Sequence, residues 1–164
     1  MLDSVDKPVR YRSTPVVSRL FTILLILYLT GACAGPVVVG AVERVRIVDA
    51  NLELVARIDT GAAASSLHAE EIEVEWDRVN FVLPGPDGVR RKMSAPIADH
   101  AWVLTTHGRD LRPRVALQIE MGGVRKRVLV SLRDRSRMQY KMLVGRDFLT
   151  GNFVVDVARG EGAE

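Results

Sequence analysis

The chain has 164 residues, enough for one domain and a short appendage. Its 48% apolar and 26% charged residues are the balance of a globular protein. The net charge of +3 and the 5% of aromatic residues argue against a nucleic-acid partner, which needs a persistent basic face interleaved with aromatics. Part of that charge is local: Lys7, Arg10, Arg12 and Arg19 face Asp3 and Asp6, and the chain from residue 35 onward carries 19 basic and 18 acidic residues. Runs such as Arg125-Lys126-Arg127 and Arg133-Asp134-Arg135-Ser136-Arg137 read as solvated strand and loop faces. With Cys33 as the one cysteine, no intrachain disulfide and no cysteine-based zinc site can form.

Residues 20–36 contain no charge, follow four basic residues, and are followed by Glu43 as the next charge. That asymmetry predicts a cytoplasmic N-terminus and an exported remainder. The apolar core Leu20 to Leu29 has the length of a signal-peptide h-region and is short for a membrane span. Three fates stay open. Ala32-Cys33-Ala34 fits a small-x-small cleavage site that leaves Gly35 as the new terminus. Thr30-Gly31-Ala32-Cys33 resembles a bacterial lipobox with Cys33 lipidated, although Thr30 stands where an aliphatic residue is usual. In the third, the run continues through Val37-Val38-Val39 as an uncleaved anchor. The expectation is export to the cell envelope, on the periplasmic side, with residues 1–36 as signal, lipoprotein signal or membrane anchor.

Residues 37–159 then read as a β domain, with 160–164 as a tail. Val42–Val48 and Leu52–Leu54 alternate around the turn Asp49-Ala50-Asn51. Glu71–Trp76 and Val79–Leu83 predict a second pair of strands, and Pro84-Gly85-Pro86-Asp87-Gly88 predicts a turn into Val89–Met93. Further strands are expected at Ala101–Thr105, Arg114–Met121 and Val124–Leu132, the last two joined through Gly122-Gly123. Met142–Val144 suits a short buried strand, Arg146–Leu149 a short helix, and Asn152–Val157 a final strand. Many short strands separated by turns predict an all-β fold, a small closed barrel.

The apolar run Leu52–Ile58 ends in Asp59-Thr60-Gly61, a carboxylate, a hydroxyl and a glycine at a strand tip. A tight turn of small residues, Ala62-Ala63-Ala64-Ser65-Ser66, follows it. Alone, the triplet also fits an ordinary turn whose Asp59 and Thr60 bond their own backbone. A second segment, Met142-Leu143-Val144-Gly145-Arg146-Asp147-Phe148-Leu149, argues against that bland reading. Together the two segments resemble the retropepsins, the single-domain aspartic peptidases of retroviruses. The similarity is closer to the bacterial retropepsin-like family often labelled ATP-dependent zinc proteases. It is carried by Arg57–Ala62 with Ser65–Ala69, and by Arg133–Met138 with Met142–Leu149 and Val155-Asp156. It spans roughly residues 40–159. Ala63 and Ala64 stand where that family usually has Arg or Lys and then Thr.

The resemblance implies a retropepsin-like barrel and an aspartic endopeptidase whose catalytic residues are Asp59, Thr60 and Gly61. The chain has one such triplet, so two Asp59 carboxylates must meet across the two-fold axis of a homodimer. The expected partner is a peptide or protein substrate, held near Ala62 and under the hairpin of Pro84, Gly85 and Gly88 as a flap. The alternative is a module that binds an extended peptide by strand addition without cutting it. No cofactor is expected. The chain has no phosphate loop for ATP and no His-Glu-x-x-His. Its histidines are His68, His100 and His107. Of these, only His68 falls on a family position, where bonding a backbone carbonyl is a stronger expectation than binding zinc. No metal ligand set can be assembled.

Overall fold

The computed structural model describes residues 35–105 and 108–159. Residues 1–34 with Cys33, expected as an export segment, the tail 160–164 and His107 lie outside the described residues. Eleven strands and one helical turn run through the described chain: β1 (Val37–Val39), β2 (Val42–Ile47), β3 (Leu52–Ile58), β4 (Ser66–His68), β5 (Glu70–Glu75), β6 (Arg78–Pro84), β7 (Arg90–Thr105), β8 (Gly108–Met121), β9 (Val124–Arg133), β10 (Met142–Val144), α1 (Arg146–Leu149) and β11 (Phe153–Val155).

Nine strands form one sheet in the order β2-β3-β10-β4-β9-β8-β7-β6-β5, and a further pairing of β2 with β8 closes six of them into a barrel. The closing contact is short, Arg46 opposite Glu120 and Ile47 opposite Ile119. Closure leaves no free edge among those six strands, while β5 ends the sheet. The inward residues follow the period of two: in β3, Leu52, Ala56 and Ile58 are buried while Glu53, Val55 and Arg57 are exposed. Ile47, Leu67, Val115, Leu117, Ile119, Val130, Leu132, Met142, Val144 and Phe148 join them in the core, each at 2% exposure or less. Burying one such side chain stabilises the fold by about 1.5–3 kcal/mol.

Several strands differ from the sequence expectation. Val89–Met93 and Ala101–Thr105 are parts of one strand, β7, which runs from Arg90 to Thr105 and pairs with β8 along its far half. Its register shifts between Ile97 and Asp99, beside Pro96. Proline and that irregularity break the alternation that would have joined the two halves by eye. His100 lies within this strand. Val37–Val39, considered above as the end of an apolar anchor, is β1, which pairs in parallel with β11 through Val37–Phe153, Val38–Val154 and Val39–Val155. Three β-branched residues favour that pleated pairing. Val48, read as strand, instead opens a 3-10 turn (Val48–Ala50) closed by Asn51 at φ 45°. The Gly122-Gly123 hairpin is as expected, with both glycines at positive φ (54° and 76°).

The Pro84–Gly88 turn is held from within. Arg91 donates to Asp87 Oδ2 at 2.6 Å, and the Val89 amide donates to Asp87 Oδ1 at 3.0 Å. These bonds, that from Arg91 first, depress the Asp87 pKa to about 2. The contact is therefore complete above the ordinary carboxylate range and lost only as pH falls through that value.

Candidate active site

β3 carries Asp59 out of the barrel at its end, where the Asp59 amide bonds the carbonyl of Val144 at 2.9 Å. β3 and β10 run parallel there, with Ala56 beside Met142 and Ile58 beside Val144. The two sequence segments that carry the retropepsin resemblance are thus neighbouring strands.

The chain turns back immediately. Asp59 Oδ1 accepts the amides of Gly61 and Ala62, each at 3.1 Å. A side chain on Gly61 would put Cβ 3.3 Å from that oxygen. Donation from two amides fixes the plane of the carboxylate. Asp59 is half-buried and Thr60 exposed. Asp59, Thr60, Arg57, Arg135, Tyr140 and Leu143 are among the residues lining a cavity of about 440 Å³.

Behind the turn sits a polar brace. Arg146 Nη1 donates to the carbonyls of Thr60 (3.0 Å) and Gly61 (2.7 Å). The amides of Arg146 and Asp147 donate to the carbonyls of Ala62 (2.9 Å) and Ala63 (3.3 Å). Asp147 accepts from the Ser65 amide (3.0 Å), the Ser65 hydroxyl (2.7 Å) and the Phe148 amide (2.9 Å). The Ser65 hydroxyl in turn accepts from the amide of Gly145 at 3.0 Å. The carbonyls of Thr60, Gly61, Ala62 and Ala63 and the Ser65 amide are thereby paired by α1. Asp147→Ala would strand the Ser65 amide, and it should lower stability by about 2–3 kcal/mol in urea denaturation. An unchanged midpoint would show that the brace is dispensable.

Sequence reasoning passed over Arg146, Asp147 and Ser65 as functional residues, although all three stand in the matching segments. It also passed over Arg135. This residue is only 5% exposed and donates through Nε to the carbonyl of Tyr140 at 3.2 Å. Burial, then repulsion from Arg133 and Arg112, push its pKa down, and Asp59 opposes them. A guanidinium keeps its charge regardless. A buried cation therefore shares the cavity with Asp59.

His68 is 4% exposed, and its ring bonds an amide instead of the expected carbonyl: Nδ1 accepts from the Arg135 amide at 2.9 Å. The proton consequently lies on Nε2, which faces Glu70 at 3.5 Å. With the Nδ1 lone pair used, His68 is a poor metal ligand, and the described residues contain no group of three His, Cys, Asp or Glu placed to hold an ion. The zinc in the family label does not fit this site.

Of the residues expected to touch substrate, Ala62 helps to cap Asp59 and does not line that cavity. Pro84 and Gly85 line a second, larger cavity of about 840 Å³ together with Arg44, Val55 and Tyr140. Gly88 is exposed at the turn with φ 76°. The structure thus brings Asp59, Thr60 and Gly61 together and sets the hairpin at the neighbouring cavity.

A family model described as "RimB-like: Retropepsin-like aspartic endopeptidase RimB" matches residues 38–163. The chain belongs to this RimB-like family. Its aspartic-protease-like barrel is the fold that the resemblance implied. A solved structure from Legionella pneumophila subsp. pneumophila str. Philadelphia 1, the protein Lpg0085 of unknown function, is similar at a TM-score of 0.66 and 30% identity, over 77% of this chain and 98% of that one. A "Probable alpha-L-glutamate ligase" of Parasynechococcus marenigrum is 30% identical over 131 residues, 73% of this chain and 28% of the relative. One of the same description from Shewanella pealeana is 30% identical over 111 residues, 62% of this chain and 24% of the relative. The chain thus spans about a quarter of the length of these curated relatives.

Proposed function

We propose that the domain is an aspartic endopeptidase whose water-activating centre is two Asp59 carboxylates, one from each copy of a homodimer. The observation that carries this reading is the geometry of Asp59. One oxygen is locked by the Gly61 and Ala62 amides, and the carboxylate stands half-exposed beside a cavity. Two carboxylates about 3 Å apart cannot both ionise, so they share one proton. The ionised carboxylate takes a proton from a bound water as that water attacks the peptide carbonyl. The protonated carboxylate donates to the carbonyl oxygen. The apparent pKa values belong to the pair. Exposed Thr60 would bond across the two-fold axis and hold both turns.

The substrate is an α-L-glutamate-containing peptide. Support comes from the ligase description of the relatives that contain a matching region. It also comes from the cation Arg57 beside Asp59. The test is cleavage of glutamate-containing peptides by the wild-type chain and by Asp59→Asn, together with the mass of the protein in solution. A strictly monomeric wild type would leave each Asp59 without its mate and defeat the proposal.

The same ligase description favours a second reading, a domain that binds the glutamate chain without cutting it. Binding without any cleavage, unchanged in Asp59→Asn, would select it.

The proposed site of action is the cell envelope, on the periplasmic side, by way of the uncharged residues 20–36. Intact mass of the mature protein is expected to show either a chain starting at Gly35 or a lipidated Cys33. A full-length chain in the soluble fraction would overturn this placement.

A further inference from the structure

The outward face of β3 runs from Glu53 through Val55 and Arg57 to Asp59, because alternate residues of a strand share one face. This face lines both cavities: Arg57 and Asp59 the smaller, Glu53 and Val55 the larger. Gln139 and Tyr140 line both as well, so the two cavities adjoin along the strand. The result is a groove that leads from Asp59 along β3 toward Pro84 and Gly85.

Two arginines stand in this groove without a bonding partner among the described residues, Arg57 and Arg44. The other charges around it are engaged or distant from that role. Lys141 spends its ammonium on the carbonyls of Ser136 (2.8 Å) and Met138 (3.0 Å). Glu70 is paired with Arg90. Arg135 is tied to Tyr140. Glu53 lies beyond Val55 and ends the cationic stretch.

The spacing of the two free cations is specific. Arg44 pairs with Val55 across the β2–β3 ladder, and Arg57 lies two residues further along β3. Diagonal neighbours of this kind sit about 7–8 Å apart. Side chains on one face of an extended peptide repeat about every 7 Å. An extended ligand lying over β3 would therefore present residues i and i+2 to Arg57 and Arg44 in turn.

We propose that Arg57 and Arg44 are specificity-determining residues that take two acidic side chains at alternate positions of an extended peptide lying in this groove. The proposal rests on the reading that the groove beside Asp59 holds a peptide. It does not require that the peptide be cut. A single exposed pair contributes little, so the recognition lies in the register of two.

The test separates binding from cleavage by using the full-length Asp59→Asn chain. Two fluorescent decapeptides are compared by anisotropy, one with glutamate at two alternate positions and one with glutamine there. The acidic peptide should bind more tightly, and Arg57→Gln or Arg44→Gln should each weaken it about fivefold. Neither substitution should change binding of the glutamine peptide. Moving the two glutamates to adjacent positions should cost as much as losing one arginine. Arg57→Glu should turn the preference toward a lysine-containing peptide. Equal affinity for the acidic and glutamine peptides overturns the proposal, as does equal weakening of both by the arginine variants. Failure of the acidic peptide to bind overturns it too. Loss of cleavage in the wild type with the binding pattern intact would refute the peptidase reading and leave this one standing.

Discussion

Asp59→Asn is expected to abolish peptide cleavage, a loss of at least about a thousandfold in kcat/KM, with no change in fold. The amide side chain keeps an oxygen where Asp59 Oδ1 accepts from Gly61 and Ala62, so the turn retains its bonds. What disappears is the ability to hold a negative charge and pass a proton. A dimer with two asparagines has no base for the water and no acid for the carbonyl. Mixed dimers sharpen the result. Titrating the variant into wild type should depress activity more steeply than dilution, because one asparagine disables a whole site. Specific activity of the wild type should also fall on dilution below the dimer dissociation constant. Equal turnover in wild type and variant would end the aspartic-peptidase reading. A linear loss on mixing would end the shared-site reading while leaving Asp59 essential.

Much of this site was legible in the sequence because its parts are local or repeat a pattern. Leu52–Ile58 shows a strand whose end is marked by Asp59 and Gly61. Met142–Val144 and Arg146–Leu149 appear as the expected strand and helical turn. The pairing of β3 with β10 joins residues more than eighty positions apart, and only the family resemblance hinted at it. β4 left no trace because Ser66, Leu67 and His68 are all buried, so no alternation exists to be read. The brace was missed for a related reason. Ser65 and Asp147 are small polar residues whose meaning comes from each other, 82 positions apart. Arg135 was read as part of a solvated charged run, yet it is 5% exposed. Composition says nothing of which arginine in such a run turns inward. For His68 the expectation was a backbone carbonyl, and a one-dimensional pattern could not show that its partner is an amide.

Gly145→Ala should be the most damaging substitution that leaves every functional group in place. The position has no need of glycine's dihedral freedom, since its φ of −91° is open to any residue. The constraint is space. A methyl group there would lie 2.7 Å from the carbonyl carbon of Ala64, 2.9 Å from its oxygen and 3.0 Å from the Ser65 amide nitrogen. These are backbone atoms, with no rotamer to relieve the clash, so one of the two segments must move. The Ala62–Ser65 turn hangs from this point through the Arg146 and Asp147 amides and the Ser65 hydroxyl. Asp59 is anchored to the same turn by the Ala62 amide. A shift of a few tenths of an ångström is therefore delivered to the carboxylate. The expected loss is about 3 kcal/mol of stability in urea denaturation. Peptide cleavage should fall at temperatures where the variant is still folded. Gly151→Ala is the control. Its glycine has φ 85° and open space around it. That change should cost about 1–2 kcal/mol through backbone strain alone and leave any cleavage by the folded chain unaltered. If Gly145→Ala matched its control in both measurements, the close approach of these two segments would not be what holds Asp59 in place.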